Sequence, residues 1–247
     1  MSKIVERTLD LLELFGRERC PLTLSDVARL LSIPISSCHD VLQAMQARGY
    51  LYEIAPRAGY FPTLRIQALG KIFADHDPVL ARAGLLLRSL RDALDETVML
   101  ARASGTRTNY LLAFEATNPL RFMVAIGDSV RSLYATSGGK ATLAALEPAA
   151  LEDYLKAAKL APLTERTITG KDALREDLER GRQRGWFLNN GESIEGVTTI
   201  SAHFRWNGAV YIVTVAAPSA RLEPRLEKVG GMIASICQML EMQPRAA

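Results

Sequence analysis

The segment Ser137-Gly-Gly-Lys-Ala141 combines the residue types most suited to chemistry in this chain of 247 residues. Glycines followed by lysine suggest a phosphate-binding loop, but Tyr134 replaces the first glycine of that motif and Ala141 its magnesium-binding hydroxyl. Nucleotide hydrolysis is therefore not expected. The segment instead suits a turn into a helix whose backbone N–H groups bind a carboxylate, or a tight turn that requires glycine.

Histidine and cysteine side chains are few and scattered. The histidines are His39, His76 and His203, and the cysteines are Cys20, Cys38 and Cys237. No two histidines have metal-ligand spacing, no C-x-x-C occurs, and no nucleophile elbow is present. We therefore expect no metal, cofactor, disulfide or catalytic triad, an inert Cys38, and a reduced cytoplasmic location.

A second group of polar residues lies on a predicted helix near the N-terminus. The side chains expected on or near its exposed side are Ser36, Ser37, His39, Asp40 and Gln43. Gln can bind adenine through two hydrogen bonds, Asp can accept one from cytosine, and the helix N-terminus favours phosphate. Arg57, in a following turn, could contact phosphate or the minor groove. The alternatives are a solvated helix face in a protein-binding domain and an ordinary surface arginine.

The elements that position these residues follow from apolar spacing and turn residues. Gly16 and Pro21 should end the first helix, and Thr23-Leu-Ser-Asp26 forms a capping box. The predicted order is helices over 4–15, 24–31 and 35–48, a strand over 50–54, a turn over 55–59, and an edge strand from Tyr60 limited by Pro62. Three helices and a β-hairpin predict a winged helix-turn-helix over residues 1–65.

The rest of the chain predicts a different architecture. Residues 66–77 form a helical linker, and Asp75-His-Asp-Pro78 is the candidate domain boundary. Strands are predicted over 97–102, 110–114, 120–126 and 210–215, and helices over 78–95, 139–146, 148–158, 171–184 and 221–241. This mixture predicts an α+β domain with an antiparallel sheet over residues 78–247. The sequence has no run of 18 apolar residues, so no membrane span is expected.

Charge alone does not predict nucleic-acid binding. The whole chain has a net charge of +3, but residues 1–77 contain nine Lys or Arg and nine Asp or Glu. The N-terminal segment through residue 77, which comprises the predicted winged helix-turn-helix and linker, is therefore neutral, and the interpretation depends on the residue pattern.

The ordered motifs resemble the IclR family of bacterial transcriptional regulators over nearly the whole chain. The N-terminal motifs are Leu24-Ser-Asp-Val-Ala-Arg-Leu-Leu-Ser-Ile-Pro34, Cys38-His39 and Arg48-Gly-Tyr-Leu51. The C-terminal motifs are Ser137–Ala141, Arg184-Gly-Trp186, Glu195-Gly-Val197, Asn207-Gly208 and Ala217-Pro-Ser-Ala-Arg-Leu222. The resemblance implies a winged helix-turn-helix, a linker helix and a GAF-like effector-binding domain, assembled as a homodimer or a dimer of dimers.

The same resemblance implies which residues contact the effector. Ser137, Gly138 and Gly139 would form its polar wall at a helix start. The residues expected across from them are Asn189, Thr199, Thr214 and His203, with Met123 and Leu133 as apolar lining. His203 could equally be a structural histidine. The effector would be a small organic acid, for which an aromatic, hydroxybenzoate-like carboxylate is one candidate.

Two departures from the family pattern bear on function. Ile35 and Asp40 occupy positions where the family often has basic residues, and Asn189-Asn-Gly-Glu192 stands where it tends to be acidic. We therefore predict a ligand-responsive regulator that binds a pseudo-palindromic operator in double-stranded DNA. The alternatives are a dimeric protein-interaction module with a degenerate winged helix, and an α+β enzyme for which no catalytic residues are visible.

Overall fold

A computed structural model describes residues 3–130 and 132–242. The chain divides into two compact units, one ending at His76 and the other beginning at Asp77. Each unit has a hydrophobic core of its own. None of the helices within the described ranges is long and apolar enough to cross a membrane.

The first unit has the predicted winged helix-turn-helix order. Its elements are α1 (Lys3–Glu18), α2 (Leu24–Leu31), α3 (Ile35–Ala47), β1 (Leu51–Glu53), β2 (Tyr60–Pro62) and α4 (Arg65–His76). Buried side chains of α1, α2 and α3 form its core together with Leu22 and Leu51. The two short strands pair antiparallel, with Tyr52 opposite Phe61.

Local signals explain where these helices begin and end. The predicted capping box is present: Asp26 N donates to Thr23 Oγ1 at 3.2 Å, and Thr23 N donates to Asp26 Oδ2 at 3.2 Å. The expectation that Gly16 ends the first helix is wrong, because α1 continues to Glu18. Burial of Leu14 and Phe15 favours the helix there, and the chain leaves it at Arg19, where φ is +54°.

The hairpin of β1 and β2, which we call the wing, is attached to the helical core. Leu22 pairs with Tyr60 through two backbone hydrogen bonds of 3.1 and 2.8 Å. Gly59 precedes this pair with φ of +105°, and a Cβ there would lie 2.9 Å from the Leu22 carbonyl carbon. Only glycine suits that conformation and that approach.

The second unit contains a sheet and most of the helices. Its helices are α5 (Pro78–Leu94), α6 (Ser137–Ala144), α7 (Pro148–Ala157), α8 (Lys171–Arg184), α9 (Ser219–Leu222) and α10 (Leu226–Met242), with a 3₁₀ turn at Glu223–Arg225. Its strands are β3 (Thr97–Ser104), β4 (Arg107–Phe114), β5 (Phe187–Asn190), β6 (Val197–Trp206) and β7 (Ala209–Pro218).

The five strands form an antiparallel sheet in the order β4-β3-β7-β6-β5. On one face, side chains of α5 and α10 pack against alternate residues of β6 and β7, among them Ile200 and Val213. The opposite face packs against α6, α7 and α8 through residues such as Ile212 and Phe187. The predicted α+β class and antiparallel sheet are confirmed.

The structure differs from three of the predictions for this unit: one predicted strand is absent, two strands were not predicted, and one predicted helix is divided. Residues 121–125 form no strand, and four of them, Phe122 to Ala125, line a cavity instead of pairing with a strand. The predicted strands omit β5 and β6, whose polar residues interrupt the apolar alternation. The helix predicted over 221–241 is divided at Glu223–Arg225, where Pro224 cannot donate a backbone hydrogen bond.

Candidate functional site

The outer face of α3 carries the residues predicted to contact DNA. Cys38, Val41, Leu42 and Met45 are buried against the core, which sets the rotation of the helix. Ser36, His39, Asp40 and Gln43 are exposed, and Ser37 is half-buried. Pro34 at the N-cap makes no side-chain hydrogen bond. The first turn of α3 therefore offers backbone N–H groups to an anion such as a phosphate.

Arg57 lies in the wing turn and is exposed. Its φ is +65°, and its backbone N–H donates to Glu53 Oε1 at 2.9 Å. This hydrogen bond stabilises the turn. The Arg57 guanidinium has no ion-pair partner among the described residues, so it is available to contact a partner of the wing.

A cavity of about 660 Å³ lies on the α6 side of the sheet. Each strand of the five-stranded sheet contributes to its lining, from Tyr110 on β4 to Asn189 on β5. Seven of the nine residues predicted for effector contact line this cavity: Met123, Leu133, Ser137, Gly138, Asn189, Thr199 and Thr214. Its size falls within the range of about 300–1,000 Å³ that is common for small-molecule sites.

The polar end of the cavity is the first turn of α6. Gly139 N donates to the N-cap Thr136 Oγ1 at 3.1 Å, and Lys140 N donates to Thr136 O at 2.9 Å. The backbone N–H groups of Ser137 and Gly138 have no acceptor among the described residues. They lie at the positive end of the helix dipole, where an anion is stabilised.

A chain of hydroxyl groups runs beside this helix start. Ser137 Oγ donates to Thr199 Oγ1 at 2.6 Å and lies 2.7 Å from Ser201 Oγ. Ser201 Oγ in turn lies 2.7 Å from Thr214 Oγ1. Asn189 Nδ2 donates to Thr199 Oγ1 at 3.3 Å. Alternation along β6 and β7 points these side chains to the same sheet face.

The structure places Gly139 outside the cavity lining. A Cβ at this position would lie 2.3 Å from the Leu133 Cα, so the backbone of the preceding segment covers it. Glycine at this position allows close packing. Its N–H already donates to Thr136 Oγ1 and is therefore not available to a ligand.

His203 also lies away from the cavity. It shares a face of β6 with Thr199 but is four residues further on, or about 13 Å along the strand. There it stacks on Phe187 with ring centroids 6.1 Å apart, in a separate recess of about 360 Å³. Burial lowers the pKa of His203, and the charges of Arg205 and Arg182 lower it further. A neutral structural histidine fits this setting.

Several lining residues were not predicted from the sequence. Three of them are the tyrosines Tyr110, Tyr134 and Tyr154. Burial raises the pKa of Tyr154, and nearby Tyr134 adds to the increase. Tyr134 lies only three residues before Ser137, and this proximity in sequence could have predicted its place in the lining.

Asp128 carries the one charge among the described lining residues. It is exposed and follows Gly127, whose N–H donates to Tyr110 O at 2.8 Å on the edge strand β4. No group of three or more His, Cys, Asp or Glu within residues 3–130 and 132–242 could hold a metal ion.

Two family models match the chain. The helix-turn-helix domain of IclR matches residues 4–54, and the model described as bacterial transcriptional regulator IclR C-terminal matches residues 72–239. The regulator BhcR of Paracoccus denitrificans is 29% identical over 98% of this chain and 88% of its own length. The glycerol operon regulatory protein of Streptomyces griseus is 30% identical over 89% of this chain and 86% of its own length.

Solved structures have the same fold. The IclR protein of Thermotoga maritima has a TM-score of 0.77 at 21% identity, covering 98% of each chain. An IclR homologue from Microbacterium hydrocarbonoxydans, crystallised with 4-hydroxybenzoate, has a TM-score of 0.79 at 20% identity, covering 97% of this chain and 98% of its own.

Proposed function

The chain belongs to the IclR family of DNA-binding transcriptional regulators, and on that premise we propose that its cavity binds a small organic acid that controls its affinity for DNA. Its named relatives are regulators and not enzymes. A ligand changes DNA affinity only if it binds the two states of the regulator unequally. We expect the protein to act in the bacterial cytoplasm, where its operator lies.

The observation that carries the acid proposal is the first turn of α6. The N–H groups of Ser137 and Gly138 lack acceptors in the described part of the chain, and both residues line the cavity. The helix dipole adds about 0.3–1 kcal/mol for an anion there, and each hydrogen bond to a charged atom adds about 1.5–3 kcal/mol. After the entropy of association is subtracted, these contributions support micromolar to millimolar binding of a small acid.

Asp128 does not oppose an anion at this position. Gly138 approaches β7, where a Cβ would lie 3.5 Å from Thr214 Oγ1. Asp128 pairs with the outer edge of β4 through Tyr110 N, three strand positions away from β7. Three strand spacings amount to about 14 Å, which exceeds the Debye length of about 8 Å at physiological salt. Because Asp128 is also exposed, water and salt screen its carboxylate.

Apolar lining favours an acid that carries a ring. Such lining residues include Met99, Phe122, Met123, Val124, Leu133, Ile194 and Val197. A ring buried against them removes apolar surface from water, at about 25 cal/mol for each Å², whereas a two-carbon acid gains little. The relative crystallised with 4-hydroxybenzoate makes that compound the first to test.

Calorimetry of the full chain with hydroxybenzoates, short keto acids and the matching amides tests this proposal. We expect acids to bind more tightly than their amides, and ring-containing acids more tightly than short ones. Equal affinity for an acid and its amide would show that the helix start does not bind an anion.

For DNA, we propose that a homodimer or a dimer of dimers places α3 of each subunit in the major groove. The operator would be a pseudo-palindrome whose half-sites are about 34–36 Å apart, or a multiple of that distance. A gel-shift assay and footprinting on the region upstream of its own gene test this. A single asymmetric half-site would contradict it.

Exposed apolar side chains on α4 support self-association. None of the residues of this helix is buried, and Ile72 and Phe73 are 53% and 67% exposed. Leu64, just before the helix, is 78% exposed. Ile66 is 38% exposed and lies two turns before Phe73 on the same face of α4. We call the exposed apolar residues Ile66, Ile72 and Phe73 the apolar stripe, and exposed apolar side chains grouped in this way favour an interaction surface.

A further inference from the structure

Lys140 is fully buried although it carries a charge. Its Nζ lies 2.6 Å from Glu192 Oε1 and 2.7 Å from Asp177 Oδ2, and it donates to Leu188 O at 2.9 Å. Asp177 also pairs with Arg180 at 3.3 Å, so two cations meet two carboxylates. Burying such a group is unfavourable unless its partners are well placed, so this cluster fixes its members closely.

These contacts hold the chain on both sides of Asn189. Lys140 binds the carbonyl of Leu188, one residue before Asn189, and the carboxylate of Glu192, three residues after it. The backbone N–H of Glu192 donates to Asn189 Oδ1 at 2.7 Å. An N–H donor requires the amide oxygen on that side, so Asn189 Nδ2 lies on the other side, where it donates to Ser193 Oγ at 3.0 Å and to Thr199 Oγ1 at 3.3 Å.

The orientation of this amide decides what Thr199 offers to the cavity. Thr199 Oγ1 accepts from both Asn189 Nδ2 and Ser137 Oγ. Its own hydroxyl hydrogen has no acceptor among the described residues, and Thr199 lines the cavity. If the amide were reversed, its oxygen would face Thr199 and take that hydrogen.

We propose that Lys140 is a positioning residue for ligand recognition: by holding Leu188 and Glu192, it orients Asn189 so that Thr199 keeps its hydroxyl hydrogen for an acceptor atom of the ligand. Lys140 does not line the cavity and acts only through these neighbours. The inference rests on the proposed binding of an acid, because a carboxylate is the acceptor that would use this donor.

A double-mutant cycle measured by calorimetry with 4-hydroxybenzoate tests the coupling. We expect Lys140→Met to lower affinity about tenfold, the size of one hydrogen bond to a charged ligand atom. In a Thr199→Val background, which lacks the hydroxyl, the same change should lower it less than about twofold. Equal losses in both backgrounds would mean that Lys140 acts by general disruption, and the proposal would be wrong.

Two further variants guard the interpretation. Lys156→Met changes an exposed lysine in the same unit and should leave affinity unchanged. If Lys140→Met does not fold, Lys140→Met/Glu192→Met removes the cation together with its carboxylate, while Asp177 keeps Arg180. This double variant should show the same dependence on Thr199, and an unaltered affinity would overturn the proposal.

A measurement without ligand separates this inference from the proposed function. In NMR spectra of the full chain, the Asn189 side-chain amide, assigned by its loss in Asn189→Asp, should exchange at least about tenfold faster in the Lys140 variant. Unchanged exchange would overturn the role of Lys140. If the amide responds but the protein binds none of the acids, only the proposed effector class fails.

Discussion

Two adjacent glycines at the start of α6 differ in the space around them. A Cβ on Gly139 would lie 2.3 Å from Leu133 Cα and 2.6 Å from two backbone oxygens, so the segment before the helix would have to move. A Cβ on Gly138 would meet nothing closer than Thr214 Oγ1 at 3.5 Å. Packing therefore requires glycine at position 139. At position 138 the missing side chain leaves space in the cavity.

These neighbours make a matched pair of variants. We expect Gly139→Ala to lower the free energy of unfolding by about 1–3 kcal/mol through overpacking. Gly138→Ala should leave it unchanged or raise it by up to about 1 kcal/mol, because alanine favours a helix. Urea denaturation of the full chain measures both. Equal losses of stability in the two variants would contradict the packing argument.

Glu192 should make stability depend on pH. Burial raises the pKa of Glu192 above its ordinary value, only partly offset by Lys140, and its Oε2 has no partner among the described residues. Between the ordinary and the raised pKa the folded protein binds more protons than the unfolded chain. The free energy of unfolding therefore falls as pH rises through this window.

Urea denaturation from pH 4.5 to 8 checks this pH dependence. Glu192→Gln, which has no proton to release, should show a smaller fall than the wild type. Glu195→Gln, at an exposed neighbouring position, should behave like the wild type. The idea fails if Glu192→Gln retains the full pH dependence.

The placement of His203 shows which part of a site the sequence cannot predict. Alternation along β6 correctly puts His203 on the same sheet face as Thr199 and Ser201. Whether a residue on that face lines the cavity depends on where the cavity ends along β6. That end is set by the packing of α6 and Phe187 over the sheet, and His203 lies beyond it. That packing is tertiary and has no signal in the spacing of β6.

Helix α3 and the wing should contribute differently to DNA recognition. Gln43 is exposed on α3, so we expect Gln43→Ala to change sequence preference, with a loss of about 1–3 kcal/mol at one base pair. Arg57→Ala should weaken binding by a similar factor on all sequences, because phosphate contacts carry no sequence information. Gel-shift titrations against a set of single-base operator variants measure both effects. A base-specific loss for Arg57→Ala would place it in a groove instead.

Helix α4 should carry part of the self-association. Phe73→Glu introduces a charge into the apolar stripe and should raise the dimer dissociation constant at least about tenfold, as desolvating an unpaired charge is unfavourable. Gln67→Glu adds the same charge to the same helix at a polar position and should have little effect. Analytical ultracentrifugation over a dilution series measures both variants. Unchanged assembly in Phe73→Glu would exclude this surface.

Strand prediction failed where the cavity replaces ordinary packing. Residues 120–126 are apolar in the manner of a buried strand, yet Phe122, Met123 and Val124 are apolar because they line the cavity. Conversely, Thr198, Thr199, Ser201 and His203 made β6 look polar although most of it is buried. Helices with a clear stop or start signal were predicted almost to the residue: α2 has a capping box at Thr23, and α8 ends at the C-cap Gly185, whose φ is +83°.

The charge balance of the whole chain sets an expectation for salt dependence. Residues 1–77 have equal numbers of acidic and basic side chains, so a dimer should neutralise only about 4–6 phosphates. The slope of log affinity against log salt should then be about −4 to −5. Titrations at several salt concentrations measure it. A slope near −9 would show that basic residues outside this segment also contact DNA.

The segment over residues 115–126, whose residues 122–125 line the cavity, is attached by side chains and not by a ladder of strand pairs. Asp95 accepts from Thr117 and Asn118, Thr97 donates to Phe122 O at 2.7 Å, and Arg221 donates to Leu120 O at 2.9 Å. Insertions or substitutions here would leave the register of all five strands intact. Evolution can therefore explore new ligands in this segment, and a designer seeking a sensor for a different acid should diversify it first.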